Sequence, residues 1–222
     1  VRSPWFWVPS LYFAQGIPYV AVMIVSVLMY KRLGVSNTDI ALYTSWLNLP
    51  WVIKPFWSPF VDLLKTKRWW VATMQLLIGA GLAGVAFTTP TTFFFQASLA
   101  VFWLLAFSSA THDIAADGFY MLALDSHEQA FFVGIRSTFY RIAIIAGQGV
   151  LVMFAGFLEN STGNIPLAWS VTFFILGGLF LALFLYHRYI LPLPKGDKPS
   201  ATVTPSTILK EFFATFASFF KK

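Results

Sequence analysis

Long apolar runs separated by short polar or charged stretches set the rhythm of this chain. Six of these runs are near or above the roughly 20 residues needed to cross about 30 Å of hydrocarbon, and each is predicted as a membrane-spanning helix. They cover about 5–30, 37–61, 69–88, 93–124, 129–158 and 167–190. In the first, Trp5, Trp7 and Tyr30 stand near the ends, where amphipathic rings favour the membrane interface. Tyr12, Gln15, Tyr19 and Ser26 share one helical stripe, which either contacts a neighbouring helix or lines a cavity. Gly16 and Pro18 loosen the helix nearby. Lys31-Arg32-Leu33-Gly34 ends the span, and Ser36-Asn37-Thr38-Asp39 caps the next.

The second run carries Pro50, Pro55 and Pro59 in its later half, which predicts a kink there. Lys54 lies among them and either snorkels to the interface or takes part in gating or substrate binding. A charged loop follows over 62–68. Gly79, Gly81 and Gly84 in the third run permit close helix approach. The sixth run has almost no polar side chain before Tyr186-His187-Arg188 and reads as a lipid-facing scaffold. Beyond it, 195–205 is a polar linker. Over 206–222, Ile208, Leu209, Phe212, Phe213, Phe216, Phe219 and Phe220 recur at helical spacing among lysines. That stripe predicts a helix on the membrane surface, or one packed on a partner domain. The expected organisation is therefore an all-α six-helix transmembrane unit over 1–192 and a cytoplasmic linker with an amphipathic helix over 193–222.

Composition supports the membrane reading. The 222 residues are 58% hydrophobic and 11% charged, with mean hydropathy +0.70, against about 25% charged residues in a soluble domain. With no cysteine, neither a disulfide framework nor a thiolate metal site is available. The net charge of +6 does not point to nucleic acid, because the cations fall between apolar spans rather than on one basic face. Lys65, Lys67, Arg68, Arg188, Lys195 and Lys198 share one side with Arg2, and Lys31 and Arg32 the other. The excess of positive charge predicts both termini in the cytoplasm.

The chemistry concentrates in Ala110–Tyr120, ATHDIAADGFY, inside the fourth run. A carboxylate in a bilayer costs about 2.5–3.5 kcal/mol on insertion scales and needs a partner, a wet cavity or a task. Asp113 and Asp117 are one helical turn apart and share a face. Counting equal rises from the turn near Ser126 brings Asp117 level with Arg136 and Asp113 close to Arg141. The predicted pairs are Asp113–Arg141, the deeper and functional one, and Asp117–Arg136, a structural lock; simple charge neutralisation accounts for either pair as well. His112 is a lone imidazole without a second ligand at metal spacing, and no metal or cofactor is called for.

These residues resemble one half of a major facilitator superfamily transporter, and more narrowly the AmpG-type muropeptide permeases, a group that includes acetyl-CoA transporters. The resemblance rests on Gly16-Ile17-Pro18, on Lys54-Pro55-Phe56-Trp57-Ser58-Pro59-Phe60-Val61-Asp62, on Ala110-Thr111-His112-Asp113-Ile114-Ala115-Ala116-Asp117, and on Gly134-Ile135-Arg136 and Tyr140-Arg141-Ile142. It departs from the group at His112, where Gln is expected, and from the general superfamily pattern in the loop after the second span, where Ser58 replaces Gly and Leu63 replaces Arg. Asp62 is retained in that loop.

The resemblance implies proton-coupled import of a muropeptide-like sugar-peptide across a bacterial inner membrane. It also implies a second six-helix half, with the site between the halves. Tyr12, Gln15, Tyr19, Asp113 and Arg141 are the implied substrate or proton contacts. Lys54, Asp62, Asp117 and Arg136 are the implied structural or gating charges. The expected partners are the lipid bilayer, a small-molecule substrate, the proton and that second half. Two other functions stay open: a non-transporting scaffold or receptor on the same fold, and a magnesium-dependent intramembrane transferase using Asp113 and Asp117.

Overall fold

The computed structural model describes residues 3–199. The surface helix expected over 206–222 lies outside the described residues. Five helices are long and apolar enough to cross a membrane: α1 (Pro4–Arg32), α5 (Lys67–Thr88), α6 (Phe94–Ala123), α7 (Ser126–Thr162) and α8 (Ile165–Ile190). Between α1 and α5 the path of the second predicted span is broken. It comprises α2 (Asn37–Thr44), a 3-10 turn at Ser45–Asn48, α3 (Leu49–Ile53), a second 3-10 turn at Lys54–Phe56, and α4 (Ser58–Leu64). Pro50, Pro55 and Pro59 each fall in the first turn of one of these later segments, where a missing N–H costs no intrahelical bond. The kink expected from the prolines is thus a succession of short helices. No β-strand is present among the described residues.

Helix ends are set by local chemistry. Ser36 Oγ accepts from Asp39 N at 3.1 Å, Thr66 Oγ1 from Trp69 N at 3.1 Å, and Asn164 Oδ1 from Leu167 N at 3.0 Å. Asp125 and Glu128 form a full capping box at the start of α7. The charged loop expected over 62–68 is shorter than the sequence implied, because α4 runs through Leu64 and α5 already begins at Lys67. Asp197, from the segment after α8, reaches back to accept the N–H groups of Lys67 at 2.5 Å and Arg68 at 3.0 Å. It thereby satisfies donors that the first turn of α5 leaves open.

Helix α1 lies inside the bundle. Its most apolar window is 67% buried, against 22% for α7. It packs against both α6 and α7, while α8 packs along α5, and α5 along α6. Close approach is steric. A Cβ on Gly16 would stand 2.7 Å from Ala143 Cβ, and one on Gly147 would stand 2.2 Å from Val20 Cγ1, so only glycine lets α1 and α7 meet at this crossing. Each of these helices contains one π turn, Ala21–Val25 in α1 and Gly147–Leu151 in α7, and the two turns touch. The turn in α1 follows Pro18, which removes a backbone donor just before it.

Helix α8 has the exposed apolar face expected of a lipid-facing scaffold, with Phe174, Ile175, Leu181 and Leu185 on it, but it also carries a packed face that the sequence did not show. Trp169, Thr172, Phe173, Leu176, Gly177, Phe180 and His187 form a buried stripe against α5. The reason is that an all-apolar helix shows no periodicity by which a packed face can be told from a lipid face. Glu159, expected in a polar loop, lies within α7; it is buried, pairs with Arg32 and accepts from Trp169 Nε1 at 2.7 Å. This ties the ends of α1, α7 and α8.

Two apolar clusters fill the bundle. One holds Val20, Tyr30, Ile78, Leu82, Phe102, Phe173 and Phe180. The other holds Trp7, Leu11, Val61, Val71, Phe119, Tyr120 and Phe132. In sequence, Gln75 falls between their contributions from α5, and His112 and Asp113 between those from α6, so a polar layer separates the clusters.

Candidate functional site

The polar layer has two sides, and α6 divides them. His112 and Asp113 are adjacent, so their side chains diverge by about 100° around the helix. Both residues are buried, at 0% and 7% exposure.

On the His112 side the contacts form a chain. His112 Nε2 is 3.1 Å from Gln75 Nε2, which is 2.9 Å from His187 Nδ1. Gln75 Oε1 is 3.0 Å from the same His187 nitrogen, and His187 Nε2 is 2.9 Å from Ser10 Oγ. Ser10 donates in turn to Trp7 O at 3.2 Å. One chain of polar groups thus joins α6, α5, α8 and α1 within the apolar interior. Only His112 Nδ1 at its end lacks a partner. Reading the sequence missed this network, although its signal was present: Gln75 is a solitary polar residue deep in an apolar run.

On the Asp113 side the groups are less satisfied. Asp113 Oδ2 is 3.7 Å from Lys54 Nζ, an ion pair beyond hydrogen-bond reach. Asp113 Oδ1, Gln15 Oε1 and Trp51 Nε1 are all buried without a hydrogen-bond partner. Gln15 and Trp51 are both turned to the Asp113 carboxylate, yet neither contact is a well-formed hydrogen bond, so this buried group keeps capacity for water or a ligand. The ring of Trp51 stands edge-on to Tyr19, with centroids 5.2 Å apart. Trp51 is three residues before Lys54 and so on its side of the path, a spacing from which it could have been found.

The expected Asp113–Arg141 pair is not formed; Lys54 takes the place of Arg141. The depth count assumed that α6 and α7 pack as a hairpin. They barely touch, because α1 lies between them. Equal depth therefore does not bring Asp113 and Arg141 together, and the 3-10 turn at Lys54–Phe56 delivers Lys54 instead. The Asp117–Arg136 pair is formed, at 3.4 Å. It lies near the turn where the two helices join, and α1 completes it. Tyr12 donates to Asp117 Oδ1 at 2.9 Å and accepts from Arg136 Nη1 at 3.0 Å. The Arg136 guanidinium also lies over the rings of Tyr12 and Tyr120, at 5.3 and 5.0 Å.

An open cavity of about 310 Å³ lies between α1, α6 and α7, lined by Tyr12, Gln15, Asp117, Arg136, Tyr140 and Arg141. Further polar residues continue along that face. Ser137, Thr138, Arg141 and Gln148 are all exposed in the middle of an apolar helix. Arg141 has no ion pair among the described residues. Such a face is unsuited to lipid and fits a water-filled cleft or another protein surface. Asp62 is remote from the cavity and pairs with Lys67 at the start of α5. Ser26, on the same predicted stripe as Tyr12, turns inward and donates to Val22 O at 2.5 Å. Among the described residues no three His, Asp or Glu side chains converge as metal ligands would.

An all-α membrane bundle with an ion pair beside an open polar cleft defines the class. Comparison with known proteins defines the family: residues 13–214 match the BT1 family, and the chain belongs to it. Among curated relatives, it is 29% identical over 182 residues to a Rickettsia conorii protein named as a transporter, AmpG 4, covering 75% of this chain and 40% of the relative. It is 26% identical over 226 residues to the AmpG 4 protein of Rickettsia felis, covering 94% of this chain and 50% of that one. It is 27% identical over 151 residues to the anhydromuropeptide permease of Escherichia coli K12, covering 64% of this chain and 30% of the permease. The resemblance to AmpG-type permeases read from the motifs is borne out, and the chain spans half or less of the length of these relatives.

Proposed function

We infer that these residues form the N-terminal half of a secondary transporter that takes up muropeptide-like sugar-peptides with protons across a bacterial inner membrane. Residues 1–192 are the transmembrane half, and the segment from 193 is a cytoplasmic connection. Both ends face the cytoplasm, where the excess of Lys and Arg belongs. A second half covers the polar face of α7, and substrate binds between the halves. The relatives' names support the substrate class, and the motif in α6 supports the site.

The observation that carries this reading is the loose Asp113–Lys54 pair, with Gln15 turned both to that carboxylate and to the open cleft. A carboxylate held to an ammonium across 3.7 Å without a hydrogen bond can exchange that partner for a proton or for a substrate group. A proton on Asp113 releases Lys54 to a substrate carboxylate; loss of the proton restores the pair and expels the substrate. Tyr12, Gln15, Tyr19 and Arg141 supply the remaining contacts. Asp117 and Arg136, held by Tyr12, fix α1 relative to α6 and α7, and Asp62 secures the start of α5. The test is uptake of labelled anhydro-muropeptide into vesicles by the full-length protein. Uptake should follow an imposed proton gradient and fail in Asp113→Asn. Uptake by wild type that ignores the gradient would refute the coupling.

A further inference from the structure

A second site stands at the end of the bundle where α5 begins and α8 ends, away from the cleft. Between these two helices lies a cavity of about 340 Å³. Its rim carries Thr66, Arg68 and Arg188, and its wall descends through Thr73 to Leu76 and Phe184. A neighbouring cavity of about 680 Å³ shares Arg68 and Arg188 and adds Lys195. Leu193 and Pro194 border both cavities.

The charges here are arranged for an anion. Asp197, the one acidic residue lining either cavity, is occupied with the N–H groups of Lys67 and Arg68. Arg68 donates to the backbone oxygen of Arg188, which places both arginines at one mouth. The Arg188 and Lys195 side chains are exposed, and neither makes a hydrogen bond or ion pair among the described residues. Exposed aromatic residues mark the level of the membrane interface at this end: Trp69 at 43% and Tyr189 at 72%. Below the cations the groove becomes apolar, and Leu76 in its wall is exposed on the outer face of α5.

A cationic mouth at the interface that continues into an apolar track matches one molecule of an anionic phospholipid. We propose that the groove between α5 and α8 binds the phosphate headgroup of an anionic phospholipid through Arg68, Arg188 and Lys195, with an acyl chain lying along Leu76 and Phe184.

The experiment uses the full chain in nanodiscs of phosphatidylcholine mixed with phosphatidylglycerol, followed by native mass spectrometry of the lipid retained. Wild type should retain phosphatidylglycerol in preference to phosphatidylcholine. The double change R188Q/K195Q should lower that preference by about 30-fold, which corresponds to about 1 kcal/mol for each cation near a membrane surface. Lys31→Gln, at the opposite end of α1, should leave the preference unchanged. Equal thermal unfolding in neutral detergent shows that the variants are folded. Soluble glycerol phosphate is the comparison for a headgroup without a tail and should not displace the retained lipid. Equal retention of the two lipids by wild type, a preference that survives R188Q/K195Q, or displacement by glycerol phosphate would each overturn the assignment.

Discussion

The two faces of α6 at His112 and Asp113 start from nearly the same position and end in opposite conditions. His112 meets a chain of side chains that runs through Gln75 and His187 to Ser10 and closes among four helices. Asp113 meets a single cation at 3.7 Å, and Gln15 and Trp51 turn to the same carboxylate without forming well-made hydrogen bonds. Both sites are buried, so burial does not distinguish them. The difference is one of degree: the His112 chain leaves only Nδ1 at its end unpaired, whereas on the Asp113 side three atoms lack a well-formed hydrogen bond. A satisfied network fixes one arrangement of helices, whereas an unsatisfied one leaves room for a second arrangement or an arriving group. The elements that supply the partners follow the same division. Gln75 and His187 come from the long packed helices α5 and α8, while Lys54 and Trp51 come from the broken path between α1 and α5. On the proposed function, one side holds and the other changes.

Changes to either side should separate them. Lys54→Met leaves the Asp113 carboxylate buried without its cation and should destabilise the bundle by about 3 kcal/mol. Adding Asp113→Asn to Lys54→Met should recover most of that loss, measured as thermal unfolding in detergent. Failure to recover would show that the two charges do not depend on each other. Gln75→Leu should cost about 2 kcal/mol, because it strands both imidazoles at once. Unlike the Lys54 change, this loss should not be recovered by altering Asp113. Gly147→Ala, at the crossing of α1 and α7, should cost about 1–2 kcal/mol by forcing Val20 aside. It should also weaken the cleft side more than the network side, read as faster hydrogen exchange in α7 than in α5. Arg136→Gln should have the smallest effect, about 1 kcal/mol or less, because Asp117 and Arg136 are partly exposed to water.

How much of this was legible in the sequence depended on whether a partner lay at a countable distance. The apolar runs fixed the helices α1, α5, α6, α7 and α8 to within a few residues, because bilayer thickness sets their length. Asp117–Arg136 was legible because both residues lie close to the turn between α6 and α7, before the helices diverge around α1. Asp113 and Arg141 lie farther from the turn, where equal depth no longer means proximity. Lys54 was visible as an anomalous charge, but three prolines and two 3-10 turns made its depth and direction uncountable. Gln75 and His187 reside on different helices 112 positions apart, and no local pattern joins them. Glu159 was misread because its position near Asn160, Ser161 and Gly163 looked like a loop, whereas Gly163 is the left-handed residue that ends the helix after it.

The asymmetry between the two faces is tested most directly by uptake of labelled anhydro-muropeptide into vesicles by the full-length protein. Asp113→Asn and His112→Gln are compared at equal amounts of folded protein. The account predicts that Asp113→Asn reduces proton-driven uptake by at least about 100-fold, the scale on which a group acting in the transport step is lost. His112→Gln keeps a hydrogen-bonding group beside Gln75 and should transport within about threefold of wild type. Uptake by Asp113→Asn equal to wild type, or an equal loss in both variants, would contradict it.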